Sequence, residues 1–344
     1  MRIAMITQSV RHYTGGRYYA YEIAVALSEL GHEVTVYTNV PILFERDFAD
    51  YAQPRVSVGR FGYREIGIAD LYIGVPVLGV ELACTLATRY KKPVWALIFD
   101  VLPLLQQSGR GDRSPALRQS FWGTMIQQVR RSGALAVCLA RCNCVPCAEW
   151  MGLPPEQVTW VYPAVNDRVI EEVGTQERGL RAVWVSRIIP HKKLAHALEA
   201  VKPFDGLVLD VVCARGDARL AQRMGMADRV FWHERVSDRR KFELIVRAQM
   251  LIHSAIFEGF GMPPIEALAC GTPVVCYRLP PLEEVLEDTP FPVFWAKRGD
   301  RWDLQRAVWE ALASRSAGFV PDQRFAMRSM VRRLEHLLEK EHIV

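Results

Sequence analysis

The chain has 344 residues, which is long for one ordinary domain and sufficient for two α/β domains that each bury a core. Hydrophobic residues make up 50% of the chain and charged residues 24%, and no run of about eighteen uncharged apolar residues occurs, so we expect a soluble globular protein rather than a membrane-spanning one. The formal net charge of +5 permits anionic partners but gives no reason to expect nucleic acid.

Residues 1–7 form a short apolar segment that predicts a buried strand. No apolar region with a small-residue cleavage site precedes it, so we expect a cytoplasmic protein. Gly15 and Gly16 follow in the turn between this strand and a helix predicted over 19–30. Paired glycines let the backbone approach a phosphate closely, although an ordinary flexible turn explains them equally well.

Apolar strand-like segments alternate with amphipathic segments along the whole chain, which is typical of parallel sheets covered by helices. The pattern breaks after Val165, where a polar and charge-rich stretch extends to Arg178. The predicted organisation is a first domain of 1–165, a linker of 166–178, a second domain of 179–323 and a C-terminal helix of 324–344. The strands predicted for the second domain are 182–186, 207–212, 229–232, 250–254, 274–277 and 291–295.

Two features of the first half have open interpretations. The buried strand predicted from Val94 ends in Asp100, which either orients a ligand or caps the next loop. A helix opened by Ser114 and Pro115 has apolar residues at helical spacing and basic flanks, with no acidic residue before Gly133. A core-facing helix with a solvated basic side explains this pattern. Docking on anionic lipid or attraction of a phosphorylated acceptor is the alternative.

Four of the eight cysteines, Cys138, Cys142, Cys144 and Cys147, crowd one strand end and the following turn. Their spacing matches neither paired C-x-x-C zinc sites nor the usual iron–sulfur pattern, so free thiols or a local disulfide are favoured over a metal. The chain also lacks an Asp-x-Asp pair that would clamp a divalent ion on a diphosphate. We therefore predict no cofactor and metal-independent chemistry.

Three cations follow the first predicted strand of the second domain: Arg187, Lys192 and Lys193. In a parallel sheet, loops after the carboxyl ends of the strands are where ligands bind. Arginine grips two phosphate oxygens with its planar fork, and lysine adds a mobile point charge. The cluster therefore suits a diphosphate, with a solvated basic loop as the alternative.

The turn after the strand predicted over 250–254 is the most informative stretch. Gly259 and Gly261 allow backbone angles that other residues avoid, and two prolines suit the first turn of the helix that follows. Glu258 is predicted on the loop and Glu266 on the first helical turn. A carboxylate accepts hydrogen bonds from two hydroxyls at once, so this pair suits a sugar ring and a ribose. A solvated Glu258 and a Glu266 that merely favours the helix start are the alternative.

The stretch from Glu258 to Val275 resembles the Glu, seven residues, Glu signature of family 4 glycosyltransferases of the GT-B fold, with its "EGFG" opening and "EALACGTPVV" continuation. The "GHEV" motif from Gly31 is also similar. The resemblance implies two Rossmann-like domains that face each other across a cleft, the first on the acceptor side and the second binding the donor, with a C-terminal helix crossing back. It further implies retaining transfer of a sugar from a nucleotide diphosphate to a glycan, lipid-linked or small-molecule acceptor.

The same resemblance implies roles for individual residues. Glu258 meets the donor sugar together with the backbone of the turn, and Glu266 meets the ribose. Phe99 stands where many family members have a histidine, so the role of that histidine does not carry over, and Asp100 beside it either orients the acceptor or caps the next loop. The remaining donor-binding residues implied are Gly15, Gly16, Arg187, Lys192, Lys193 (where the family usually has glycine), Arg235, Val236, Gly259, Phe260, Gly261 and Met262.

A dinucleotide-binding dehydrogenase is disfavoured, because the first turn lacks G-x-G-x-x-G and the second strand ends in Thr38 and Asn39 without an acid for the ribose. Two other functions stay open: a sugar-nucleotide epimerase of the GT-B fold and a catalytically silent nucleotide-sugar-binding protein. Peripheral contact with the inner membrane face also stays open.

Overall fold

The computed structural model describes residues 1–7, 15–39, 55–62, 64–108, 119–289, 292–314 and 323–343. The chain divides into two compact units. The first comprises Met1–Ala164 together with Ala326–Val344, and the second comprises Val165–Phe325.

In the described part of the first unit, seven parallel strands form one sheet in the order β3-β2-β1-β4-β5-β6-β7. The strands are β1 (Arg2–Thr7), β2 (Glu33–Thr38), β3 (Val56–Arg60), β4 (Leu71–Gly74), β5 (Val94–Ile98), β6 (Leu135–Cys138) and β7 (Val158–Trp160). The helices that accompany them are α1 (Gly15–Glu29), α2 (Leu78–Tyr90), α3 (Leu102–Ser108), α4 (Gln119–Ser132) and α5 (Cys144–Met151). Central strands such as β4 and β5 are buried along their whole length, since helices cover both faces.

The second unit repeats this architecture with six parallel strands in the order β10-β9-β8-β11-β12-β13 among its described residues. The strands are β8 (Arg181–Val185), β9 (Val208–Cys213), β10 (Val230–Glu234), β11 (Met250–His253), β12 (Val274–Tyr277) and β13 (Val293–Ala296). The helices are α6 (Asp167–Val173), α7 (Leu194–Val201), α8 (Ala218–Arg223), α9 (Asp238–Arg247), α10 (Met262–Ala269), α11 (Pro280–Leu286) and α12 (Arg301–Ala313).

The last helix, α13 (Met327–Lys340), belongs to the first unit and packs against α1. Its buried side chains recur at helical spacing and join the core around β1. They are Met330, Leu334, Leu337 and Leu338. The return of the C-terminal helix to the first unit, predicted from this apolar stripe, is confirmed.

Two parts of the chain differ in detail from the sequence-based expectation. The polar stretch 166–178 contains α6, which packs against α9 within the second unit and is capped by the side chain of Asn166. The last strand of the second sheet begins at Val293. Residue 291, where it was predicted to begin, lies outside the described residues.

The helix expected to open at Ser114 is described only from Gln119 onward. Ser114 and Pro115 themselves lie outside the described residues. Three of its apolar side chains, those of Trp122, Met125 and Ile126, are buried in the core beside α2 and β5. These apolar positions therefore contribute to packing, as the core-facing interpretation predicts.

None of the eight cysteines forms a disulfide, so the local disulfide considered for Cys138, Cys142, Cys144 and Cys147 is absent. Cys138 and Cys147 are buried. Among the described residues, no group of three or more His, Cys, Asp or Glu side chains is arranged to hold a metal ion. None of the helices in the described part of the chain is long and apolar enough to cross a membrane.

Removal of one side chain tests the contribution of α13 to the first unit. We expect Leu334→Ala to lower the free energy of unfolding by about 3 kcal/mol, because Leu334 is fully buried and its loss leaves a cavity. The exposed neighbour gives a matched control, since Glu335→Ala should change stability by less than about 0.5 kcal/mol. Urea denaturation measures both, and equal effects would contradict the packing of this helix.

Candidate functional site

The candidate site lies where β8 and β11, neighbours in the second sheet, both end at its carboxyl edge. The loop after β8 carries a 3-10 turn, Pro190–Lys192, and the loop after β11 carries Glu258. The main-chain amide of Ile256 donates to the carbonyl oxygen of His191 at 2.8 Å and joins the two loops. Sequence positions about 66 residues apart are thereby held side by side.

Ser254, which follows β11, also joins the same two loops. Its hydroxyl lies 2.9 Å from the carbonyl oxygen of Lys192 and 3.0 Å from that of Lys193. The indole Nε1 of Trp184 donates to this hydroxyl at 3.0 Å. Because Ser254 and Trp184 are both buried, the backbone that carries Lys192 has little freedom to move.

Glu258 is held between two basic side chains. Lys192 Nζ donates a hydrogen bond to its Oε1 atom, and His253 Nε2 lies 2.7 Å from the same oxygen without hydrogen-bond alignment. Burial raises the pKa of Glu258, but the charges of Lys192 and His253 outweigh burial, and the pKa of this carboxyl falls well below its ordinary value. Glu258 is therefore an anion over the whole physiological pH range.

Both of these contacts are made to Oε1. The described residues provide no hydrogen bond to Oε2, the other carboxylate oxygen of Glu258. The side chain as a whole is 11% exposed, so a small part of it reaches solvent. An acceptor atom in this position suits a ligand hydroxyl.

The backbone at Lys193 explains why a glycine would suit that position. Its φ of +49° lies in the left-handed region, and it separates the 3-10 turn from α7. A side chain in this conformation costs roughly 1 kcal/mol relative to glycine. Arg187 lies earlier in the same loop, is exposed, and its guanidinium has no ion-pair partner in the described part of the chain. Arg187 is therefore accessible to an anionic ligand.

The turn from Glu258 to α10 needs glycine at one position. Gly261 has a φ of +110°, and a Cβ atom there would lie 2.3 Å from Leu282 Cδ2. Phe260 is buried against Phe325 at a ring distance of 5.9 Å, so its side chain is not accessible to a ligand. Two prolines lie in the first turn of α10, which Met262 begins, as predicted.

Glu266 lies in the second turn of α10, not in the first as predicted, because the helix begins at Met262. Its carboxylate is buried and accepts a hydrogen bond from Lys241 Nζ at 2.7 Å. Lys241 is also 3.0 Å from Asp238. Burial raises the pKa of Glu266; Lys241 opposes this shift and Asp238 adds to it. The predicted ribose ligand is thus already part of a buried ionic cluster.

Arg235 and Val236 follow β10 at the same carboxyl edge, two strands from β8. Arg235 has a positive φ of +50°, and its amide donates to the carbonyl oxygen of Cys213 at 2.9 Å. Ser237 caps α9 by accepting from the amide of Arg240 at 3.2 Å, as one of the two caps predicted.

In the first unit, Gly15 and Gly16 are the first two residues of α1, and residues 8–14 before them lie outside the described residues. Phe99 follows β5 and packs edge-to-face on Tyr19 at a ring distance of 5.8 Å. The side chain of Phe99 is therefore partly buried and packs against the core of the first unit. Asp100 comes next along the chain, and its role in orienting an acceptor stays a prediction.

Sequence reasoning missed two side chains of the site, His253 and Lys241. The only signal for Lys241 is its spacing of three residues from Asp238 on an amphipathic helix. The signal for His253 is that it is a polar residue in an otherwise apolar strand. Its partner, Glu258, is five residues further along the chain.

Comparisons with known proteins bear on the family and the fold of the chain. Residues 166–333 match the model of the family "Glycosyl transferases group 1". The Anabaena protein Alr3699/HepE, solved in complex with UDP and glucose, superposes with a TM-score of 0.78 at 15% identity, over 98% of this chain and 99% of that one. The chain has the GT-B fold. The fold predicted from the sequence is thereby confirmed.

Curated relatives match a smaller part of the chain. The O-antigen chain mannosyltransferase RfbU of Salmonella typhimurium is 30% identical over 145 residues, which is 40% of this chain and 40% of that protein. D-inositol 3-phosphate glycosyltransferase 2 of Catenulispora acidiphila is 39% identical over 163 residues, which is 40% of this chain and 38% of that protein. The chain therefore spans about two fifths of the length of each of these curated relatives.

The left-handed backbone at Lys193 leads to a stability prediction. We expect Lys193→Gly to raise the free energy of unfolding by roughly 0.5–1 kcal/mol, because glycine adopts this conformation without strain. Lys202 provides the matched control, since it is exposed and has a right-handed φ of −50° at the other end of α7. Lys202→Gly should lower stability instead. Chemical denaturation measures both variants, and changes of the same sign would refute the strain argument.

Proposed function

We propose that this protein is a retaining glycosyltransferase that moves a hexose from a nucleotide diphosphate donor to an acceptor hydroxyl. The observation that carries the proposal is the Glu258 carboxylate, held as an anion beside Lys192 with one oxygen open to a ligand. A hydroxyl-binding anion and a diphosphate-binding cation thus lie side by side at the end of neighbouring strands.

The proposed division of labour follows from the charges. Arg187, exposed and without an ion-pair partner among the described residues, binds the donor diphosphate through its planar fork. Lys192 turns from Glu258 to the departing phosphate and stabilises the charge that develops there. Oε2 of Glu258 accepts hydroxyls of the donor sugar, and the amides around Gly259 and Gly261 contribute at the helix start.

The reaction we propose exchanges one bond for another at the anomeric carbon. The bond from this carbon to the diphosphate breaks, and the nucleoside diphosphate leaves with the electron pair. The acceptor oxygen then bonds to the same face of the sugar, so that the anomeric configuration is retained, and its proton is transferred to the departing phosphate. Arg187 and Lys192 supply the positive charge that this step requires, so the proposal needs no metal ion.

The rest of the donor lies along the same edge in this proposal. Glu266 accepts ribose hydroxyls while Lys241 keeps its carboxylate in place. The backbone near Arg235 and Val236 meets the base. The names of the relatives support a hexosyl donor, because one is a mannosyltransferase. The structure solved with UDP and glucose supports a nucleotide partner.

Two substitutions test the residue roles. We expect Glu258→Gln and Arg187→Ala each to lower turnover about 100-fold or more, because each removes a charge that acts on the donor. Arg223→Ala is the matched control, since Arg223 is an exposed arginine at the end of α8 and outside the site. Release of nucleoside diphosphate from a panel of UDP and GDP sugars is the measurement, with circular dichroism to verify folding. Unchanged turnover of the Glu258 and Arg187 variants would sink the assignment.

Metal dependence is tested on the wild-type protein. We expect turnover to be the same with EDTA as with Mg²⁺ or Mn²⁺, because Arg187 and Lys192 take the part of a divalent ion. The assay is the same release of nucleoside diphosphate after chelation and desalting. Loss of activity that an added divalent ion restores would contradict the prediction.

A further inference from the structure

In the proposed function, Lys192 interacts with two anions, the Glu258 carboxylate and the donor diphosphate. In the unliganded protein it is paired with Glu258, whose side chain is only 11% exposed. When the donor binds, Lys192 is needed at the diphosphate. A buried carboxylate that loses its cation is strongly destabilised and gains a proton, and a protonated Glu258 would be a poorer acceptor for a sugar hydroxyl.

His253 is a second basic group against the same oxygen. Its Nε2 lies 2.7 Å from Oε1 of Glu258, and its side chain is 3% exposed. Its backbone is part of β11, where it pairs with Cys276 of β12. Among the described residues, the other charged group that faces Glu258 is Lys192, while the nearby Ser254 and Trp184 are neutral. His253 is therefore the basic neighbour that stays beside Glu258 when the donor binds.

We propose that His253 is a positioning residue that keeps the Glu258 carboxylate charged and in place while Lys192 moves to the donor diphosphate. This inference rests on the proposed function. His253 itself does not touch the donor, because it is enclosed beneath Glu258 and acts on the ligand only through that carboxylate.

The consequence is a change in pH dependence. Lys192 and His253 both lower the pKa of Glu258. Replacing His253 removes one of the two basic groups that lower the pKa of Glu258, so that pKa rises, and the rise is largest when Lys192 is at the diphosphate. As the pH falls, Glu258 then takes up a proton at a higher pH than in the wild type, so activity is lost earlier on the acid side.

The test uses His253→Gln, which keeps a hydrogen-bond donor but removes the basic imidazole ring. We expect kcat to fall about tenfold or more and the acid limb of the kcat profile to move up by about 1 pH unit. The affinity for nucleoside diphosphate alone should be unchanged, because Arg187 and Lys192 remain. His196→Gln is the matched control: His196 lies in the same unit with Nδ1 2.7 Å from Tyr277 Oη, away from Glu258, and should leave the acid limb in place.

The outcomes separate the two proposals. A purely structural histidine would lower the melting temperature without moving the acid limb, and an unmoved limb overturns the role of His253. His253→Asn is the second variant if the glutamine variant does not fold. If the wild type turns over no donor, the proposed function fails. The role of His253 is then tested by measuring binding affinities instead of turnover. The variant should then bind nucleotide sugars more weakly than the wild type at equal nucleoside diphosphate affinity, and an equal loss for both overturns the inference.

Discussion

The contact between Glu258 and Lys192 depends on the order of strands in the second sheet. Because β8 and β11 are parallel neighbours, the loops after them emerge at one edge, and the side chains meet although 66 residues separate them. The Ser254 hydroxyl donates to the carbonyl oxygens of Lys192 and Lys193, and the amide of Ile256 donates to that of His191. The fold thus brings the opposite charges together, since both loops leave the sheet at the same edge.

A second constraint is that buried charges need partners. Glu258 has Lys192 and His253, and Glu266 has Lys241. An unpaired carboxylate at either position would cost several kcal/mol, so these partners let two acids lie at a crevice without unfolding it. The same partners control what the acids do: they hold the pKa of Glu258 low and leave one of its oxygens for a ligand.

Local signals in the sequence predicted local structure well. Glycine and proline spacing predicted the turn before α10, the apolar stripe predicted α13, and Ser237 was one of two predicted caps. Contacts between distant segments carry no such signal. The residues around Lys192 in the sequence do not indicate that it pairs with Glu258. The edge-to-face contact of Phe99 with Tyr19 likewise joins two distant segments, the end of β5 and α1. The residue type at position 193 likewise did not predict its left-handed backbone, because lysine rarely adopts positive φ.

The most direct measurement is proton NMR of the wild-type protein incubated with a nucleotide sugar and candidate acceptors, following the anomeric proton of the sugar. We expect release of nucleoside diphosphate together with a new glycoside that has the anomeric configuration of the donor. An inverted anomeric centre in the product, or an epimerised donor formed without any acceptor, would contradict it.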